Sequence, residues 1–231
     1  MKTIGLIGGM SWESTVSYYQ IINRAVNQRL GGLHSAQCLL YSVDFQAIED
    51  CQKSGQWEKS GRILAKAGQA LERGGAEVLL ICTNTMHKVF DQVRAAVSLP
   101  LIHIADATAE AVLARGLRRV GLLGTAYTME QTFYKEKIMA AGIEVIVPPQ
   151  KQRREINRII FEELCHGVIA ARSREFYLRA VEDLAVRGCA GIIMGCTEIG
   201  LLLRQSDTPI PLFDTTEIHA LSAVAFALTA A

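Results

Sequence analysis

The stretch Ile4-Gly5-Leu6-Ile7-Gly8-Gly9 is written a second time as Val120-Gly121-Leu122-Leu123-Gly124-Thr125, with Gly121 lying 116 positions after Gly5 (121 − 5). A short apolar run ending in glycine reads as a buried strand of a parallel sheet that feeds a tight turn. Two further pairs follow in the same order. GAEVLLICTNT at 75–85 matches CAGIIMGCTE at 189–198, which sets Cys196 114 positions after Cys82 (196 − 82). LPLIHI at 99–104 matches IPLFDT at 210–215, which sets Pro211 111 positions after Pro100 (211 − 100). One such match is common in any α/β chain. Three in register indicate an internal duplication.

The rest of the chain fits two copies of one α/β unit. Strands are expected at 3–7, 37–43, 76–81 and 100–104, and again at 119–123, 143–147, 190–194 and 209–213. Helices are expected at about 11–30, 57–74, 86–97, 128–141, 155–164, 174–187 and from 215 onward. Apolar strands alternating with helices predict parallel sheets covered on both faces. The predicted fold class is therefore α/β, with two pseudo-symmetric, doubly wound parallel-sheet domains. The first is expected over 1–103, joined by the C-terminal segment 209–231, and the second over 104–208.

The bulk numbers narrow the function. The chain has 231 residues, half of them hydrophobic, enough for two small cores. Lys and Arg number 24 against 23 Asp and Glu, so there is no cationic field to hold nucleic acid or an anionic membrane. The basic run 151–154 reads as a solvated helix start. The apolar start is too short and too glycine-broken for a signal peptide, and residues 218–231 fall short of the ~20 that span a bilayer. A cytoplasmic protein is expected. Its six cysteines show neither a CxxC pair nor a framework spacing, which fits free thiols in a reducing compartment.

Ligands of open parallel sheets bind beyond the carboxyl ends of the strands. Both Cys-Thr-Asn-Thr (82–85) and Gly-Cys-Thr-Glu (195–198) fall at such ends, each before an expected helix. A helix N-terminus offers free N–H groups to a carboxylate and favours a thiolate. Gly195 would permit close backbone approach, and Thr197 and Glu198 could hold a zwitterion. GLIGGM at 5–10 is not a full dinucleotide fingerprint and no partner acidic residue follows it, so a nucleotide site has little support. His87, His103 and His219 lack metal-ligand spacing and read as structural.

Taken together, GLIGGM at 5–10, TNTMH at 83–87, GTAYTM at 124–129 and GCTE at 195–198 resemble the aspartate/glutamate racemase family along the whole chain. The resemblance implies an isomerase that needs neither pyridoxal phosphate nor metal, encloses a small amino acid between two α/β domains, and often forms a homodimer. It also implies a cysteine from each half, one removing the α-proton and the other returning a proton on the opposite face. Carried over, Cys196 is the second catalytic cysteine. Asn84, Thr85, Thr197 and Glu198 would bind the substrate's carboxylate and ammonium. Met10 would line the site, and Gln52 lies close to where many members carry a basic side-chain contact.

The first half departs from the family. Anchored on Asn84-Thr85, the position of the first cysteine holds Thr83. The ungapped repeat instead pairs Cys82 with Cys196. A one-residue slip at a strand end turns a side chain to the other face, so the Asn-Thr anchor puts Cys82 in the core and Thr83 in the site. A threonine hydroxyl is a poor base, though it can pass a proton. The site would then be uneven and favour L substrates, aspartate or glutamate being the expected ones. A catalytically weakened amino-acid-binding protein, or a related thiol decarboxylase or isomerase, is the alternative.

Overall fold

The computed structural model describes residues 1–229. The chain divides into two units, Met1–Ile104 together with the chain from His219 onward, and Ala105–Ile218. In chain order the first unit holds β1 (Ile4–Gly8), α1 (Trp12–Leu30), β2 (Cys38–Ser42), α2 (Phe45–Lys53), α3 (Trp57–Arg73), β3 (Val78–Ile81), a 3-10 turn at Thr85–Val89, α4 (Phe90–Arg94) and β4 (Leu101–Ile102). The chain leaves it along α5 (Ile104–Ala114). The second unit holds β5 (Arg119–Gly124), α6 (Ala126–Glu130), α7 (Thr132–Ala140), β6 (Glu144–Ile146), α8 (Gln150–Glu162), α9 (Ala171–Val186), β7 (Ile192–Gly195), α10 (Ile199–Leu202) and β8 (Leu212–Asp214). The last helix, α11 (Thr215–Leu228), carries the chain back to the first unit.

Each unit is built on a four-stranded parallel sheet, ordered β2-β1-β3-β4 in the first and β6-β5-β7-β8 in the second. The two orders are the same order, as a duplicated chain requires. In the first unit both sheet faces are buried, which is why its strands read as continuous apolar runs. Ile4, Leu6, Val78, Leu80 and Cys82 pack with Tyr18 and Ile22 of α1 and Ala223 and Val224 of α11. Ile7, Leu79 and Ile81 point the other way, against Leu64, Ala67 and Leu71 of α3. The period of two along β3 divides these sets cleanly. Each fully buried aliphatic side chain contributes about 1.5–3 kcal/mol.

The ends of several elements follow from local chemistry. Gly9 sits at φ 91°, and a side chain there would run into the Val43 backbone, so the turn after β1 requires glycine. The Thr15 hydroxyl accepts from the Gly9 N–H at 2.9 Å and donates to the Ser11 carbonyl at 2.9 Å, tying that turn to α1. Ser11 is the N-cap residue of α1 but makes no side-chain cap.

Several features differ from the sequence-based expectation, among them four that bear on the site or the domain boundary. Helix α2 was not anticipated; its cue is Asp44, whose side chain caps it by accepting from Gln46 N–H at 3.1 Å. The helix expected over 86–97 is a 3-10 turn followed by the single-turn α4. The strand expected over 100–104 keeps two paired residues, because α5 begins at Ile104. The segment 209–218, expected with the first domain, holds β8, which pairs with β7, so it lies in the second unit. Among the described residues no helix is long and apolar enough to cross a membrane.

Candidate active site

In the first unit, parallel pairing of β1 with β3 brings the Gly9-Met10 turn and the Thr83-Asn84-Thr85 turn to one sheet edge, since Ile7 is the register partner of Ile81. Thr83, Asn84 and Thr85 are all buried. Met10 is buried in the cluster that also holds Met86 and Ile48. Gln52, from α2, is buried and points its Nε2 at Met86 Sδ, 3.2 Å away, while its Oε1 has no hydrogen-bond partner in the protein. Met10 and, through Met86, Gln52 are thus held at one apolar cluster.

The strand register also decides which residue of the first unit corresponds to Cys196. Ile7 pairs with Ile81, and its repeat counterpart Leu123 pairs with Met194. Ile81 therefore corresponds to Met194, Cys82 to Gly195, and Thr83 to Cys196. The β4 and β8 registers agree, since Leu80 pairs with Ile102 and its counterpart Ile193 with Phe213. Cys82 is fully buried among Tyr18, Leu80 and Ala220, and burial pushes its thiol far above the ordinary range. The Cys82 side chain belongs to the core.

In the second unit Cys196, Thr197 and Glu198 are buried at the C-terminal end of β7. The Cys196 thiol donates to Glu198 Oε2 at 2.9 Å, and the Thr197 hydroxyl donates to the same oxygen at 3.0 Å. The Thr216 hydroxyl reaches the Thr197 carbonyl at 3.3 Å, and Thr215 donates to the Met194 carbonyl at 2.8 Å, so the start of α11 braces this turn. The thiol is held well above its usual range, first by burial and next by the Glu198 carboxylate. This corrects the expectation of a thiol lowered by a helix N-terminus: α10 has a single turn, and a carboxylate sits beside the sulfur. Gly195 is also explained differently. A Cβ there would lie 2.7 Å from Leu122 and 3.0 Å from the Leu123 carbonyl, so glycine is required by the pairing of β7 with β5.

The three histidines, unremarkable by spacing, form one buried cluster in the first unit. The ring centroids of His87 and His103 are 4.6 Å apart and those of His87 and His219 5.6 Å. The Ile104 N–H donates to His87 Nε2 at 3.1 Å, so the ring proton sits on Nδ1, which donates to the Thr83 carbonyl at 2.8 Å. His219 Nε2 donates to the Ile102 carbonyl at 2.9 Å, and its Nδ1 accepts from Tyr18 Oη at 2.9 Å. Both rings are held neutral, His87 far below the usual range and His219 down to about 3, in each case chiefly by burial. Only the position of His87, four residues after Thr83, hinted at this in the sequence.

Two copies of one α/β unit, each built on a parallel sheet of the same strand order, are an architecture that this chain shares with known proteins. The family model described as Asp/Glu/Hydantoin racemase matches residues 7–223. The chain is similar to the broad specificity amino-acid racemase RacX of Bacillus subtilis (strain 168), at 22% identity over 229 residues and 96% of each chain. Among solved structures it is similar to a Yersinia pestis protein named after the Asp/Glu racemases, at 53% identity and TM-score 0.91, covering 99% of this chain and 100% of that one. It is also similar to an aspartate racemase homologue from Pyrococcus horikoshii OT3, at 39% identity and TM-score 0.86, covering 98% and 99%. The chain belongs to the Asp/Glu/Hydantoin racemase family, and its reaction class is that of a racemase, an isomerase.

Proposed function

We propose that this racemase inverts the α-carbon of a small acidic amino acid, aspartate or glutamate, and that it works on the L enantiomer far better than on the D. Cys196 removes the α-proton of the L substrate, and the Thr83 hydroxyl relays a proton in return. Asn84, Thr85, Thr197, Glu198, Gln52 and Met10 hold the substrate. The observation that carries this reading is the strand register that makes Thr83, and not Cys82, the counterpart of Cys196. One half then carries a thiol and the other a hydroxyl, and a hydroxyl is much the weaker base. A homodimer in the cytoplasm is the expected working form.

The test is α-proton exchange in D2O, followed by proton NMR, with L- and D-aspartate and L- and D-glutamate and no added cofactor. The L substrates should lose their α-proton and the D substrates exchange much more slowly. Cys196→Ala should abolish the exchange. Absence of exchange with every amino acid tried would refute the racemase assignment of this site.

A further inference from the structure

We infer that the groove between α8 and α9 in the second unit is a further small-molecule site, one that takes a nucleoside polyphosphate. None of its lining residues belongs to the turns described above, and nothing in it depends on the racemase reading. The two helices run antiparallel. Gln152 near the start of α8 meets Asp183 near the end of α9, and Ser173 near the start of α9 donates to Glu163, just past α8, at 2.5 Å. Side chains three, four or seven positions apart share a helix face. Lys151, Arg154 and Arg158 of α8 therefore line the same groove as Arg172, Phe176 and Arg179 of α9. The groove consists of two adjoining hollows of about 420 and 640 Å³ that share Arg158 and Phe176.

Five cations and a single carboxylate, Glu155, line this groove, in a chain with 24 Lys and Arg against 23 Asp and Glu. Among the described residues the Lys151, Arg154 and Arg179 side chains make no ion pair or hydrogen bond. Arg172 reaches Glu163 only at 3.7 Å. Neighbouring arginines that face elsewhere are engaged, Arg153 with Glu130 and Arg174 with Asp207. The open cations are thus gathered on the groove, where like charges repel until an anion enters. Arg158 plays a different part. Glu155 at 2.7 Å and Glu163 at 2.9 Å clamp its guanidinium, which neutralises Glu155 and fixes a flat, preorganised surface beside Phe176.

The ligand class follows from charge, length and the ring. A helix rises about 1.5 Å per residue, so Arg172 and Arg179 lie about 10 Å apart along α9. Four open cations spread over that length suit several negative charges in a row better than one phosphate. Arginine also binds phosphate oxygens through two N–H groups at once. Phe176, half-buried and shared by both hollows, offers the aromatic surface on which a nucleobase stacks. Each hollow is within the ~300–1,000 Å³ of ordinary small-ligand sites.

The experiment is isothermal titration calorimetry of the full chain with ATP, inorganic tripolyphosphate and adenosine, each without added metal. ATP should bind once per chain, tripolyphosphate about tenfold more weakly, and adenosine too weakly to detect. The double variant Arg154→Ala/Arg179→Ala should weaken ATP binding by about tenfold or more, since two charge-assisted contacts are lost. Both side chains are exposed, so this variant should fold as the wild type does. Phe176→Ala should bring ATP down to the affinity of tripolyphosphate. Where it does not fold, Phe176→Leu, which keeps apolar bulk without the ring, carries that comparison. Four results would each overturn the inference: no ATP binding below about 1 mM; tripolyphosphate binding as tightly as ATP; ATP affinity within twofold of wild type in the double variant; or displacement of ATP by L-aspartate, which would put the nucleotide at the amino-acid site.

Discussion

His87 Nδ1 donates to the backbone carbonyl of Thr83 across 2.8 Å, inside the turn that follows β3. The other nitrogen of the same ring accepts from Ile104 N–H, the first residue of α5. One neutral imidazole therefore pins the residue that corresponds to Cys196 to the start of α5. His87→Phe keeps a ring of similar shape but orphans two buried backbone groups, at about 1–3 kcal/mol each. Thermal unfolding should show a loss of that order. In the exchange assay kcat should fall more than KM rises, since substrate contacts remain while Thr83 loses its fixed position.

The two neutral rings also set an acid limit on stability. Their folded pKa values lie below the unfolded value near 6.5, so the unfolded chain binds more protons than the folded one below that pH. Stability should be flat between about pH 7 and 8 and decline as pH falls below about 6.5. Each ring contributes a slope of about 1.4 kcal/mol per pH unit until its own folded pKa is reached. The window from pH 6.5 to 5 is the one in which these two rings act. Urea unfolding at pH 7, 6 and 5 measures it; a flat profile across that window would contradict the neutral, buried assignment.

Cys82 and Thr83 should separate under substitution. Cys82→Ala removes a core sulfur and should cost about 1–2 kcal/mol of stability with exchange rates close to wild type. Thr83→Val keeps the shape and removes the hydroxyl. It should lower racemisation while Cys196-side exchange of L substrate persists. Equal losses of activity in both variants would argue against the register assignment.

Thr83→Cys puts a thiol at the counterpart of Cys196. A thiol is a far better acid–base group than an alcohol, so turnover of the D enantiomer should rise by tenfold or more. Optical rotation starting from D-aspartate reads this directly, and an unchanged D rate would remove Thr83 from the reaction.

Gln52 offers a buried Oε1 with no partner in the protein, close to Met86 and the 85–89 turn. Loss of one hydrogen bond to substrate is worth about 0.5–1.5 kcal/mol. Gln52→Leu should therefore raise KM several-fold to about tenfold with kcat nearly unchanged. A fall in kcat at constant KM would move Gln52 from substrate binding to the chemical step.

The duplicated strands, their apolar character and the two strand-end motifs were legible in the linear sequence, because periodicity and repetition are local and survive without coordinates. So was Cys196, singled out by GCTE at 195–198. The choice between Cys82 and Thr83 stayed open there. An ungapped repeat and a motif anchor differ by one residue, and only hydrogen bonding of β1 to β3 and of β5 to β7 fixes the register. Helix α2 was missed because one capping aspartate over nine residues is a weak local signal. The neutral histidine cluster was invisible because His87, His103 and His219 are far apart in sequence and converge only through the packing of β4, α5 and α11. The state of Cys196 is likewise tertiary. Its neighbours in the chain suggested a lowered thiol pKa, and the fold raised it by burying the sulfur and turning Glu198 back onto it at 2.9 Å.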